Sequence, residues 1–289
     1  MSVAGLRRAV AGAVGDDVVA MSAVHGGDTA AAYRVELSSG RRLFAKTHAS
    51  PPPGFFTTEA TGLEWLRGSG AVLVPEVLAV SDGAGDEPAF LVLEWIEQGG
   101  GHPASEFDFG RNLAALHGAG APVFGREDRR TTGSLGLPNE PVATWSEFVS
   151  RCRFLPLARI ARDRRSLPPD AIVRLERLAN SLDRFDDGAG PARLHGDLWA
   201  GNRIVDVDGA AWLIDPAAHG GHAEFDLAMM RLFGGFGADA FAGYESVRPL
   251  AEGWDDRVDL HQIAPLVVHA IKFGGHYVAS ATRAIARYS

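Results

Sequence analysis

The sequence predicts an α+β protein with two lobes, a small β-rich lobe over residues 1–97 and a larger, mostly helical lobe over residues 98–289. Three observations predict this fold class. Short β-like runs fill the first hundred residues, the glycine-rich segment 97–101 (EQGGG) interrupts them, and helical periodicity dominates afterwards. Enzymes often bind their ligands at such domain boundaries, so the pattern favours a cleft enzyme.

The first lobe is predicted to hold four strands and two helices. One of the helices is a short surface helix with Leu6, Val10 and Val14 on its apolar face. The predicted strands cover residues 33–37, 41–46, 72–80 and 89–96, and the second helix covers residues 58–67.

The second lobe is predicted to be helical apart from one short β-like island at residues 193–214. An acidic residue three positions after Ser105 suits a helix start there. The predicted helices cover residues 107–117, 145–162, 169–185, 224–236 and 258–287, the last interrupted at Gly274 and Gly275.

Composition excludes several classes of protein. The chain has 289 residues, 46% of them hydrophobic and 22% charged, which are ordinary globular values. Its net charge of −8, with no long basic run, disfavours a nucleic acid or an anionic membrane as partner. Cys152 is the single cysteine, so no internal disulfide can form, and we expect a cytoplasmic protein. The oligomeric state is left open.

The segment 194–202 (LHGDLWAGN) carries the strongest chemical signal. Asp197 lies five positions before Asn202, and a predicted hairpin then leads to Asp215 at the end of its second strand. Phosphoryl transfer needs a carboxylate to accept the proton of the attacking hydroxyl, and an amide oxygen and a second carboxylate to hold Mg²⁺. Kinase catalytic loops share this H-x-D-x4-N spacing. By itself the D-x4-N spacing is also compatible with a simple turn, but His195 and Asp215 shift the balance towards catalysis.

The first lobe offers the other groups that a kinase requires. Lys46 ends a predicted strand and could contact the α- and β-phosphates of ATP, while Glu59 in the following helix could pair with it. Gly26, Gly27 and Asp28 could form a glycine turn whose N–H groups face the phosphates. Each of these signals is weak when taken alone, because there is no G-x-G-x-x-G or Walker A motif.

Taken together, these motifs resemble the fructosamine (ketosamine) kinases, a family within the aminoglycoside-phosphotransferase-like enzymes with a protein-kinase-like fold. The resemblance rests on HGDLWAGN, on the glycine turn before AYRVEL, and on the segment 144–159 (TWSEFVSRCRFLPLAR). It is strongest in the segment 214–236 (IDPAAHGGHAEFDLAMMRLFGGF).

The resemblance implies ATP-dependent phosphorylation of a free or protein-linked ketosamine at the sugar 3-hydroxyl, with deglycation as its consequence. It assigns roles to residues of both predicted lobes, while Asp226 is expected to fix the catalytic loop or cap the next helix. The implied roles are Asp197 as base; Asn202 and Asp215 as Mg²⁺ ligands; Lys46, Glu59, Gly26, Gly27, Asp28, Glu94 and Ile96 at ATP; and Trp199, His222 and Glu224 at the substrate.

Two departures and three alternatives accompany this interpretation. Asp28 stands where some members carry a cysteine linked to redox control, and Ala30 replaces a polar residue of the same loop. The alternatives are another small-molecule kinase, acting on an aminoglycoside, a choline-like alcohol or a free sugar; a catalytically dead binding module; and a transition-metal site. The last would use His195, His219, His222 and Glu224, although no paired metal-ligand spacing supports it.

Overall fold

The structure is a computed structural model that describes residues 3–24, 30–85, 87–100, 103–128, 131–132 and 135–289. The predicted glycine turn at Gly26, Gly27 and Asp28 lies outside these residues. The helices are α1 Val3–Val14, α2 Phe55–Arg67, α3 Pro103–Gly118, α4 Trp145–Val149, α5 Leu155–Arg164, α6 Pro169–Ala179, α7 Glu224–Leu232, α8 Ala238–Glu245, α9 Trp254–Phe273 and α10 His276–Tyr288. The strands are β1 Val18–Val24, β2 Ala31–Leu37, β3 Arg42–His48, β4 Val77–Ser81, β5 Ala89–Glu94, β6 Thr131–Thr132, β7 Leu137–Pro138, β8 Ala192–Leu194, β9 Arg203–Val205, β10 Ala211–Leu213 and β11 His219–Gly221.

Contacts divide the chain into two compact units. One comprises Met1–His102 and Arg203–Pro216, and the other comprises Pro103–Asn202 and Ala217–Ser289. The α+β class is confirmed, because an antiparallel sheet dominates the first unit and helices dominate the second. The lobe boundary near residue 97 stays a prediction. Among the described residues, no helix combines the length and apolarity needed to cross a membrane.

The first unit is built on a five-stranded antiparallel sheet in the order β1-β2-β3-β5-β4. Helix α1 packs on this sheet through Leu6 and Val10, and the Arg7 guanidinium donates to the carbonyl of Val18 at 2.8 Å. The sheet has one strand more than predicted, because the edge strand β1 is largely exposed and lacks a clear apolar pattern. The predicted strand over residues 72–80 is shorter in the structure, where β4 begins at Val77, and Leu73 instead bridges to Trp212 of β10.

The second unit packs its helices around one apolar core formed by α4–α6, α9 and α10. Helices α3 and α8 lie in close contact, because Gly110 faces the carbonyl of Ala240 and Gly243 faces that of Phe107 with no room for a β-carbon. The short strands β8 and β11 pair antiparallel beside the predicted catalytic loop. Helix α8 and strand β11 were not predicted, since both are short and glycine-containing.

Candidate active site

Lys46, Glu59 and Asp215 form an ionic cluster in the first unit, in which Lys46 and Glu59 are buried and Asp215 is half-buried. Strand β3 carries Lys46 and helix α2 carries Glu59, and the Lys46 Nζ lies 2.7 Å from Glu59 Oε1. The same ammonium also pairs with a carboxylate oxygen of Asp215. The Lys46 and Glu59 side chains are about nine-tenths buried, so water screens the attraction between their charges only weakly.

The charges in this cluster shift one another's pKa values. Burial alone would lower the pKa of Lys46, but the charges of Glu59 and Asp215 outweigh it and raise the pKa above its usual value. Burial also raises the pKa of Glu59; the charge of Lys46 opposes this, and the charge of Asp215 adds to it. Lys46 is therefore a fixed cation, which is the property that binding phosphate oxygens requires.

Helix α2 owes its position to a residue outside the helix. Asp82 Oδ1 accepts hydrogen bonds from the amides of Phe56 and Thr57 at 3.0 and 3.1 Å, so it caps the first turn from a later loop. The helix therefore begins at Phe55, three residues before the predicted start. This cap orients the helix that carries Glu59.

The hairpin of β9 and β10 delivers Asp215 in a strained backbone conformation. Asp206 organises the turn by accepting from the amides of Asp208 and Ala210 and from the Trp212 indole N–H at 2.7 Å. Asp215 has φ of 53°, in the left-handed region that residues other than glycine rarely occupy. Such strain persists where the surroundings demand it and is concentrated at functional sites.

Asp197 and Asn202 meet in the predicted catalytic loop of the second unit. The Asn202 Nδ2 donates to the Asp197 carbonyl at 2.8 Å and to Asp197 Oδ2 at 3.1 Å. The loop closes through a 3₁₀ turn, in which the Asn202 amide donates to the carbonyl of Trp199 at 2.9 Å. Because the amide nitrogen of Asn202 holds Asp197, its amide oxygen is left as the group that could bind a cation.

A buried network holds this loop from behind. Asp226 Oδ2 accepts from the His195 amide at 2.7 Å and Oδ1 from the Gly196 amide at 2.9 Å, and His117 Nε2 lies 3.3 Å from Oδ2. Tyr244 contacts the other ring nitrogen of His117 at 2.9 Å. Burial alone would raise the pKa of Asp226, but its bonds to His117 and the loop amides lower it, so Asp226 is held as a carboxylate. The expectation that Asp226 fixes the catalytic loop agrees with this geometry.

Trp199 belongs to the predicted catalytic loop and lies on the surface of the second unit. Its side chain is 41% exposed, and its ring stands edge-on to Phe233 at 6.3 Å between centroids. The indole lies over Gly201, where a β-carbon would overlap the ring. The glycine of WAGN therefore gives the indole its place on the loop.

His222 and Glu224, both predicted to touch substrate, are buried in a polar network. Arg257 donates to both Glu224 oxygens at 2.9 and 2.6 Å, and His261 Nε2 lies 3.2 Å from one of them. Burial opposes ionisation, but Arg257 and His261 bring the pKa of Glu224 down to about 2. His222 lies 3.3 Å from the Asp187 carboxylate. The substrate role of the pair stays a prediction, since the structure engages both side chains internally.

The same network bears on the transition-metal alternative. Potential ligand atoms of His222, Glu224 and His261 lie within 4.8 Å of one another. However, Arg257 already neutralises the carboxylate, and the His222 Nδ1 faces the Glu224 amide at 3.2 Å. The cluster is therefore explained by hydrogen bonding within the protein.

The predicted adenine-binding segment follows the end of β5. The Glu94 amide donates to the carbonyl of Glu76 at 2.9 Å, so this amide is occupied. Ile96 lies beyond the strand and is half-buried, and its amide makes no backbone hydrogen bond to another described residue. The contact of this N–H with adenine stays a prediction.

Sequence reasoning missed His117, Tyr244, Arg257 and His261, which complete the two buried networks. His117 and Asp226 are 109 positions apart, and Arg257 and Glu224 are 33 apart. Nothing local marks these residues, because a histidine or arginine in an amphipathic helix has the same pattern whether or not a distant carboxylate meets it.

Both units thus carry the polar groups of a kinase-like phosphotransferase with an alcohol group as acceptor. The family model described as fructosamine kinase matches residues 7–289, and the chain belongs to this family. A protein of Synechocystis named probable ketoamine kinase is 35% identical over 82% of this chain and 79% of its own length.

Solved structures agree with this assignment. A fructosamine-3-kinase homologue from Thermobifida fusca is 38% identical and covers 99% of both chains, with a TM-score of 0.90. An aminoglycoside phosphotransferase, 15% identical with a TM-score of 0.61 over 97% of both chains, shares the fold alone. The predicted family and the kinase-like fold are therefore confirmed.

Proposed function

We propose that the protein transfers the γ-phosphate of ATP to the 3-hydroxyl of the sugar of a ketosamine, free or protein-linked. The observation that carries the proposal is the pairing of Asp197 with Asn202 in the loop that Asp226 anchors. Family membership and the names of the relatives support the ketosamine as substrate class.

Asp197 acts as the general base. The substrate hydroxyl oxygen forms a bond to the γ-phosphorus as its proton passes to an oxygen of Asp197, and the bond from this phosphorus to the ADP oxygen breaks. Asn202 holds the carboxylate through its amide nitrogen at 3.1 Å, which fixes the accepting oxygen. ADP leaves with the electron pair of the broken bond.

Lys46 binds phosphate oxygens of ATP, and Glu59 orients Lys46 through the 2.7 Å ion pair. The Ile96 amide, and the backbone near Glu94, bind adenine. Gly26, Gly27 and Asp28 remain the proposed phosphate turn, and His222 and Glu224 remain proposed substrate residues that act through the buried network.

The donor set fits Mg²⁺. Asn202 offers an amide oxygen and Asp215 a carboxylate, hard oxygen ligands that suit Mg²⁺ better than zinc. Bound there, Mg²⁺ would offset the negative charge of the phosphates. The strained backbone at Asp215 supports a role that depends on the direction of its carboxylate.

Phosphorylation at this hydroxyl leads to deglycation. A phosphate on the carbon next to the ketone is a good leaving group once the sugar enolises towards the nitrogen-bearing carbon. Loss of inorganic phosphate, followed by addition of water, releases the amine and a 3-deoxy dicarbonyl sugar. We therefore expect the free amine to appear after the phosphorylated product, without a second enzyme.

A substrate panel tests the proposal. Purified protein with ATP and Mg²⁺ is assayed on fructosamine, ribulosamine, free fructose and an aminoglycoside, and the position of the phosphate is read by NMR. We expect turnover of ketosamines, with Asp197→Asn lowering kcat by roughly 10²-fold. Asp208→Asn, the same change at an exposed turn residue, is the matched control.

Equal use of free sugar would reject the substrate class, and turnover of the aminoglycoside alone would favour another small-molecule kinase. ATP binding without any transfer would indicate a binding module.

A further inference from the structure

A row of aromatic side chains runs along the surface of the second unit from the catalytic loop to the last helix. We call it the aromatic ladder, and its members are Trp199, Phe233, His269, Phe273 and Tyr277. Ring centroids are separated by 6.3 Å between Trp199 and Phe233 and by 5.1 Å between Phe233 and His269. His269 then lies 5.5 Å from Phe273 and 4.9 Å from Tyr277. All these spacings are within the range of direct aromatic contact.

The ladder concentrates the exposed aromatic surface of the protein. Among the described residues, the exposed phenylalanine and tryptophan side chains are Phe107, Trp199, Phe233 and Phe273, and three of these four belong to the ladder. Phe273 is 52% exposed and Phe233 39%. The other two members, His269 and Tyr277, are half-buried. Single exposed apolar residues are common, but several exposed aromatic side chains linked by ring contacts favour a binding surface.

The ladder begins beside the proposed catalytic base. The Trp199 amide donates to the Asp197 carbonyl at 3.1 Å, so the first ring of the ladder follows the base within one turn of chain. Gly235, two residues after Phe233, leaves no room for a β-carbon against the Ala200 side chain. The catalytic loop and the segment that carries Phe233 are therefore packed tightly together.

We propose that the aromatic ladder binds the substituent on the ketosamine nitrogen and selects apolar, above all aromatic, substituents. This inference rests on the proposed function, since it assumes a sugar hydroxyl held at Asp197. The ketosamine nitrogen is a secondary amine, cationic near neutral pH, and aromatic faces attract such a cation. An aromatic substituent extending from this nitrogen then meets successive rings of the ladder rather than water.

A positive charge at the far end of the ladder further restricts which substituents the ladder can bind. The Lys272 ammonium lies 5.3 Å from the centre of the Phe273 ring. A substituent that carried a second cation would be repelled there, whereas a neutral ring would not. The favoured substrate is thus a ketosamine of an aromatic amine without a second positive charge.

The test compares two ketosamines that share the same sugar, one N-benzyl and one N-methyl. For the wild type we expect kcat/KM about tenfold higher for the N-benzyl compound. Phe233→Ala, which removes the ring next to Trp199, should lower this ratio about fivefold, the scale of one aromatic contact. Val247→Ala, a truncation of an exposed apolar side chain outside the ladder, is the matched control and should leave the ratio unchanged. Melting temperatures of both variants report on folding.

Each other outcome has a distinct meaning. Turnover of both ketosamines with a ratio near one, or a ratio that Phe233→Ala leaves intact, overturns this inference and leaves the proposed function standing. Inactivity towards both ketosamines refutes the proposed function and this inference with it. A dimer in sedimentation that Phe233→Ala dissociates, with no change in the ratio, assigns the ladder to a second copy of the chain and also overturns the inference.

Discussion

The buried Asp226 network predicts that a change of one atom behind the catalytic loop reduces turnover. Asp226 offers one oxygen to the His195 amide and the other to the Gly196 amide, at 2.7 and 2.9 Å. In Asp226→Asn one oxygen becomes an NH₂ group, so one of these loop amides must face another donor. The loop loses an anchor, and the position of Asp197 loses definition.

The magnitude follows from the hydrogen bonds that are lost. A hydrogen bond to a charged group contributes about 1.5 to 3 kcal/mol, and a buried donor left without an acceptor costs a similar amount. Asp226 is fully buried, so solvent does not replace the lost bond. If the catalytically active conformation of the loop is destabilised by about 3 kcal/mol, kcat falls roughly 10²-fold. Tyr244→Phe removes only the outer bond to His117 and should cost about 1 kcal/mol, or roughly fivefold.

The assay separates positioning from general stability. Steady-state kcat and the KM for ATP are measured beside the melting temperature, with Asp239→Asn, the same change at an exposed residue of α8, as the matched control. We expect kcat to fall more in Asp226→Asn than in Tyr244→Phe. The KM for ATP should change little, because Lys46 and Glu59 are untouched. A variant Asp226→Asn that melts earlier but keeps wild-type kcat would refute the reasoning and leave Asp226 a structural residue only.

The remaining predictions concern the metal, pH and redox. Chelation should abolish activity and added Mg²⁺ or Mn²⁺ should restore it, because the proposed metal ligands, Asn202 and Asp215, both offer oxygen atoms; full activity in EDTA would contradict their assignment. Burial lowers the pKa of His261 from 6.5 to about 4, so on acidification the unfolded chain takes up this proton before the folded one. About 3 kcal/mol of stability is therefore present above pH 6.5 and lost as the pH falls towards 4. His261→Gln should flatten the plot of unfolding free energy against pH in that window, and an unchanged slope would count against it. Cys152 is buried and its thiol pKa is raised by burial, so a thiol reagent should not label the native protein and Cys152→Ser should respond to oxidant as the wild type does; rapid labelling at neutral pH would overturn this.

The residues of the candidate site could be predicted where the chemistry is local in sequence. Asp197 and Asn202 lie five positions apart, and one tight turn brings their side chains within 3.1 Å. The Lys46 and Glu59 pairing was also predicted, since a strand end and the next helix are separated by a short connection and the side chains meet at 2.7 Å. The burial of Glu224, by contrast, depends on its ion pair with Arg257, and no sequence feature near either residue predicts that pair.

The ends of the helices were likewise predictable only where a local sequence signal marks them. Helices α9 and α10 break at Gly274 as predicted, because a glycine with φ of 64° ends the first of them. The predicted helix over residues 169–185 instead ends at Ala179 and is followed by a short 3₁₀ turn, and the one over residues 224–236 ends at Leu232. Periodicity locates an amphipathic helix but not its last turn, since end residues are set by the tertiary contacts that satisfy the terminal carbonyl groups.

By itself, the sequence determined the α+β class and the family and predicted the pairing of Lys46 with Glu59, because these depend on residue type and short spacing. The base and the oxygen ligands that it indicates stay predictions. Only the tertiary structure decided that Asp82 caps α2, that Asp226, His117 and Tyr244 stand behind the catalytic loop, and that aromatic side chains from distant segments form one exposed ladder. The physical reason is that burial and hydrogen bonding between remote residues depend on how the whole chain packs. Local sequence patterns do not predict such contacts.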